Sequence, residues 1–104
     1  MTDESPFDYR GLDDVIHSRI RLAVVAILAS VDDAEFTYLR DKVGATDGNL
    51  STHLSRLSDA EYVDVRKSFV GDRPASRYRL TAKGRGAFDQ YLKRMEDLLG
   101  GVLP

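Results

Sequence analysis

The sequence predicts a mainly α fold with a small β-hairpin, an α+β domain whose elements run α-α-α-β-β-α. Three observations predict it. Apolar residues recur at helical spacing in three successive segments between Ile20 and Leu57. The period then drops from 3.6 to two between Val63 and Leu80, around a turn containing Gly and Pro. Helical spacing returns after Thr81. The 104 residues, 42% hydrophobic and 31% charged, are enough for one domain with a modest core and have the composition of a globular chain.

Residues 1–11 contain Pro6 and Gly11 and no periodic stripe, so they are expected to form a flexible arm ahead of a domain over 12–104. Ser18 is placed to cap a first long helix, with Ile20, Ala23, Val24, Ile27 and Leu28 as its inward stripe. Leu22, Val25 and Ala26 are also apolar, and a helix greasy on several sides is usually covered all round. Asp32, or Asp33, is expected to cap a second, short helix, since Asp32 and Glu35 have capping-box spacing. Phe36, Leu39 and Val43 face inward, and Gly44 stops that helix. Thr46 then caps a third helix with Leu50, Leu54 and Leu57 as its buried stripe. Two short helices joined by a tight turn containing Gly are the helix-turn-helix pattern.

Val63, Val65 and Phe69 alternate with Asp64, Arg66 and Ser68, and later Tyr78 and Leu80 alternate with Arg77 and Arg79. Between these runs Val70-Gly71-Asp72-Arg73-Pro74 forms a hairpin tip. Thr81 caps a last helix in which Phe88, Leu92, Met95 and Leu99 recur every three or four residues, with Tyr91, Leu98 and Val102 beside them. That spacing suits packing against another helix.

The formal net charge of −2 conceals an asymmetry. Residues 1–47 carry five basic and ten acidic side chains, whereas residues 66–94 carry nine basic side chains against Asp72 and Asp89. Charges beyond about 10 Å are screened at 0.1 M salt, so a phosphate backbone senses the local face rather than the total. The absence of cysteine excludes disulfides, thiolate metal sites and cysteine nucleophiles, and fits a reducing cytoplasm. No apolar run reaches the roughly 20 residues of a membrane span. His17 and His53 lie far apart in sequence with no cysteine to join them, so neither a metal site nor another cofactor is expected. Asp13-Asp14 and Asp32-Asp33 are adjacent pairs that do not face each other on a helix. They suit capping better than acid-base catalysis, and no enzyme is indicated. Gly84 and Gly86 lack the pattern of a phosphate loop and are expected to let the last helix pack closely.

Four stretches, in this order and spacing, resemble the winged helix-turn-helix transcriptional regulators of the small MarR-like and ArsR-like branch. They are Ile16-His17-Ser18-Arg19-Ile20-Arg21-Leu22; Thr46-Asp47-Gly48-Asn49-Leu50-Ser51-Thr52-His53-Leu54; Tyr62-Val63 with the Phe69-to-Pro74 turn; and Tyr78-Arg79-Leu80-Thr81-Ala82-Lys83-Gly84-Arg85. The likeness covers residues 12–99. Two departures stand out. Relatives often have Gly just before the Tyr-Val, where the helix ends left-handed, and this chain has Glu61; relatives also often have Pro near Arg19.

The resemblance implies a regulator of transcription that binds double-stranded DNA, and a repressor is expected because occlusion of a promoter requires no further domain. A recognition helix over about 47–60 enters the major groove, and a wing over about 63–81 lies on the backbone. With its leucines buried, the third helix exposes Asn49, Ser51, Thr52, Ser55 and Arg56, together with His53. Asn reads adenine, Arg reads guanine, and Ser or Thr hydroxyls pair with either partner. Lys67, Arg73 and Arg77 are the expected wing contacts to phosphate. A homodimer is expected, since one such unit covers only a half-site. Its interface would use Leu22 and Val25 of the first helix, with Phe88, Tyr91, Leu92, Met95, Leu98 and Leu99 of the last. Two alternatives stay open: a protein-interaction module on the same scaffold without DNA readout, and a regulator with a small-molecule effector in the dimer cleft.

Overall fold

Ser18 opens the first long helix in the computed structural model, which describes residues 9–102 of the chain. Its side-chain oxygen accepts from the Arg21 amide, satisfying one of the free donors at the start of α1 (Arg19–Leu28). The chain then forms β1 (Ala34–Glu35), α2 (Phe36–Val43), α3 (Asp47–Asp59), β2 (Val63–Val70), β3 (Arg73–Leu80) and α4 (Ala82–Val102). Of the expected arm, residues 1–8 lie outside the described residues, and Tyr9–Gly11 form a 3-10 turn.

Three α-helices, a β-hairpin and a final α-helix thus follow the expected order, with one addition. Ala34 and Glu35 pair antiparallel with Tyr78 and Arg77, giving a three-stranded sheet in the order β1-β3-β2. This overturns the expected Asp32–Glu35 capping box. Residues entering a strand cannot also wrap the start of a helix, and α2 begins behind Glu35 without any side-chain cap bond. Gly44 ends α2 at φ 69, and Thr46 accepts from the Asn49 amide to start α3.

Val24, Val25 and Leu28 of α1, Leu39 of α2 and Leu50, Leu54 and Leu57 of α3 meet Ala34, Val63 and Leu80 in one core. A second cluster forms where Leu12 and Ile16, ahead of α1, fold back on Tyr91 of α4. Leu22, Phe88, Met95 and Leu98 pack partly buried against it. Val25 and Tyr91 are therefore core residues of the single chain and offer no surface to a second copy, which corrects their expected place in a dimer interface. Leu92 and Leu99 stay 48% and 54% exposed.

The hairpin runs in unbroken register from Val63↔Leu80 to Val70↔Arg73, closing on a Gly71-Asp72 turn with Gly71 at φ 62. Beyond Val63 β2 overhangs the core, and Val65, expected to face inward, is already 46% exposed. Phe69, expected to alternate inward, is consequently 70% exposed. The start of α4 is tied to the start of β2: Thr81 donates its amide to the Tyr62 carbonyl and its hydroxyl to the Glu61 carbonyl, and its Oγ1 accepts from the Gly84 amide. Gly84 packs directly on the Tyr62 backbone as expected, but Gly86 faces open space.

Candidate nucleic-acid interface

Burial of the three leucines orients α3. Successive residues turn by about 100°, so inward Leu50, Leu54 and Leu57 force the intervening side chains outward. Asn49, Ser51, Thr52, Ser55 and Arg56 are all exposed. Thr52 donates its hydroxyl proton to the Gly48 carbonyl at 3.0 Å, which leaves the hydroxyl oxygen as an acceptor. Asp47, at the helix start, would weaken attraction for a phosphate, but Arg40 pairs with it at 3.0 Å.

The wing is divided by its own pleat. Directly opposed residues share a face, and the faces alternate along each strand. Lys67, opposite Ser76, lies on the face with Phe69 and Pro74, its Nζ 3.5 Å from the Ser76 hydroxyl. Arg73 and Arg77 lie on the other face, and each meets a carboxylate from β1 or the residue before it. Arg73 pairs with Glu35 at 3.1 Å, and Arg77 Nε donates to Asp33 at 2.8 Å. Hydrogen bonding to Asp33 raises the pKa of Arg77 further above its ordinary value. Lys67 and Arg73 still line one cleft with Glu35 and Phe69, and Arg77 lies outside it. Arg66, opposite Arg77, was not anticipated as a contact. It is exposed and makes no ion pair among the described residues.

A third cationic group lies where α1 crosses α3. Arg21 donates from Nε to the Val15 carbonyl at 2.5 Å and from Nη1 to Nδ1 of His53 at 2.8 Å. Arg56 stands near enough to both to depress their pKa values, though desolvation is the larger cause for each. Sequence reasoning missed Arg21, because its role depends on a helix crossing and no motif marks it. The other histidine, His17, belongs to a different seam, with Nδ1 2.8 Å from the Tyr91 hydroxyl.

Among the described residues no group of three or more His, Cys, Asp or Glu side chains is placed to hold a metal ion, and no helix is long and apolar enough to cross a membrane. An exposed polar helix following a tight helix-turn-helix, flanked by a basic hairpin, defines a winged-helix nucleic-acid-binding module. The chain belongs to the winged helix DNA-binding domain family, whose model matches residues 20–99. It is 36% identical over 78 residues to an uncharacterized protein of Methanocaldococcus jannaschii, spanning 75% of this chain and 85% of that one. A transcriptional regulator homologue from Pyrococcus horikoshii OT3 has the same fold, with a TM-score of 0.78 over 85% of this chain and 87% of its own at 23% identity. A MarR-family transcriptional regulator from Silicibacter pomeroyi superposes with a TM-score of 0.64 at 25% identity, over 82% of this chain and 56% of its own.

Proposed function

We propose that the protein is a sequence-specific regulator of transcription that acts in the cytoplasm as a homodimeric repressor, with α3 in the major groove of duplex DNA and the wing along the flanking backbone. The observation that carries this reading is the exposed row Asn49, Ser51, Thr52, Ser55 and Arg56 on a helix whose other side is committed to the core. Asn49 is suited to adenine, Arg56 to guanine or a phosphate, and the hydroxyls to either partner of a base pair. Lys67, Arg73 and Arg77 would meet phosphates, joined by Arg66. Arg73 and Arg77 must exchange Glu35 and Asp33 for phosphate. Exposed ion pairs are worth at most about 1 kcal/mol, so the exchange is cheap.

Leu92 and Leu99, seven residues apart on one face of α4 and both exposed, support a two-fold partner. Leu22, Phe88, Met95 and Leu98 remain available at its margin. A two-fold pair sets its recognition helices in successive major grooves about 34–36 Å apart, and a dimer seated on a promoter represses by occlusion alone.

Fluorescence anisotropy with the DNA upstream of the protein's own gene tests the reading. Affinity should fall steeply with salt as condensed counterions are released. No duplex affinity at low salt would replace it with the protein-interaction module. Sedimentation that finds a monomer on the order of tens of micromolar would remove the dimer. A second reading, control by a small-molecule effector, is favoured by a cleft of about 670 Å³ between Asp13, Tyr62 and the α4 residues Tyr91, Lys93 and Asp97.

A further inference from the structure

We propose that the seam between α1 and α3 is a second phosphate-binding edge of this interface, where Nε2–H of His53 donates to a backbone phosphate oxygen and Arg21 is the residue that positions it. The proposal rests on the reading of α3 as the helix that enters the groove.

Arg21 decides which nitrogen of His53 carries the proton. A guanidinium has five donors, no acceptor, and does not deprotonate in proteins. Its 2.8 Å contact with Nδ1 therefore requires a lone pair on Nδ1, so the neutral ring carries its hydrogen on Nε2. Arg21 is itself anchored to the backbone, through the Val15 carbonyl at 2.5 Å and the Asp14 carbonyl at 3.4 Å. The ring is thus held by a fork tied to the segment ahead of α1. Nε2 makes no hydrogen bond within the described residues and is not walled off from solvent. One N–H donor is left open.

The surroundings select an anion for that donor. Neither Arg21 nor Arg56 forms an ion pair among the described residues. Desolvation first, then the charges of Arg21 and Arg56, hold the His53 pKa below its ordinary value, so the ring stays a neutral donor between two cations. An oxyanion there gains a hydrogen bond and two attractive charges without any group having to change protonation.

Position on the helix selects the phosphate backbone as the source of that anion. At about 100° per residue, Asn49, His53 and Arg56 share one flank of the leucine stripe, while Ser51 and Ser58 share the other. Ser58 donates its hydroxyl to the Val63 carbonyl at 3.4 Å, so its flank is the one beside the wing. His53 and the wing accordingly bracket α3 from opposite sides. A major groove about 12 Å wide is bounded by two backbones. The wing meets one, and the α1–α3 seam meets the other.

Anisotropy titrations of the full chain against two duplexes, the DNA upstream of its gene and a scrambled sequence of equal length, test this. His53→Ala should weaken binding to both by a similar factor, roughly tenfold for a hydrogen bond to a charged group. The preference between the duplexes should persist. His53→Gln, whose amide nitrogen stands near the position of Nε2, should restore most of the affinity. Arg21→Met should weaken both complexes, and in the free protein ¹⁵N spectra of the imidazole should change from one Nε2–H tautomer to a mixture, a readout that a merely structural role would not move. If His53→Ala leaves both affinities unchanged while Arg73→Ala lowers them, the phosphate edge is wrong and DNA binding stands. A loss confined to the upstream duplex makes His53 a base reader and overturns the phosphate role. Absence of duplex binding by the unmodified chain overturns both readings.

Discussion

Gly84 lies so close to the carbonyl oxygen of Tyr62 that a β-carbon has no room between them. The obstacle is backbone, which cannot swing aside as a flexible side chain would. The same carbonyl accepts the Thr81 amide at 3.0 Å, so it fixes where α4 starts against β2. Gly84→Ala must push the two elements apart, and overpacking of this kind costs about 1–3 kcal/mol. Thermal unfolding should show a lower melting temperature for Gly84→Ala, whereas Gly86→Ala, inside α4 and facing open space, should raise it by a few degrees, since Ala is favoured over Gly in a helix by about 0.5–1 kcal/mol.

Glu61 is the one non-glycine residue with positive φ among the described residues, at 64°. A side chain in this left-handed conformation costs on the order of 1 kcal/mol. Its contact with Lys83 at 3.3 Å joins two exposed side chains and contributes little against that. Glu61→Gly should therefore raise the melting temperature by a few degrees, following the scale of about 4–8 °C per kcal/mol for domains of this size. An unchanged or lower value would mean that the Lys83 contact or chain entropy outweighs the strain.

Tyr62 donates its hydroxyl to Asp13 at 2.5 Å, and Asp13 also accepts from the amides of Val15 and Ile16. The bond to Asp13 is the main cause that pushes the Tyr62 pKa up to about 12, with burial second. A phenol whose folded pKa exceeds its unfolded value of 10.0 stabilises the fold fully below pH 10. That contribution disappears as pH rises from 10 towards 12. Tyr62→Phe should lose about 1 kcal/mol at neutral pH. Denaturant midpoints measured from pH 9 to 11.5 should converge for the two proteins; a constant gap would refute the coupling.

Arg73 and Asn49 represent the two halves of the interface. Arg73→Ala should weaken binding to every duplex and shallow the salt dependence, since one phosphate contact is lost. Asn49→Ala should instead narrow the difference between the upstream duplex and a scrambled one. Titrations at three or more salt concentrations separate these outcomes. Equal effects of both substitutions on specific and random DNA would refute the division of labour.

The elements that position the site were legible because their signals are local. Ser18, Thr46, Gly44 and Thr81 act on groups within a turn or so, and the Leu50, Leu54, Leu57 stripe orients α3 by helical geometry alone. The turn at Gly71 was legible for the same reason.

Tertiary structure alone decided the rest. β1 is two residues long and exists through its pairing with β3, so only the folded chain turns Asp33 and Glu35 from helix caps into partners of Arg77 and Arg73. Val25 and Tyr91 are apolar residues that suit a subunit interface as well as a core. Their enclosure depends on packing against distant segments, and for Tyr91 on residues 12–16 folding back over α4. The Arg21–His53 contact arises where two helices cross. Periodicity and capping involve neighbours a few bonds apart, whereas pairing, enclosure and helix crossing join residues that only the completed fold brings within reach.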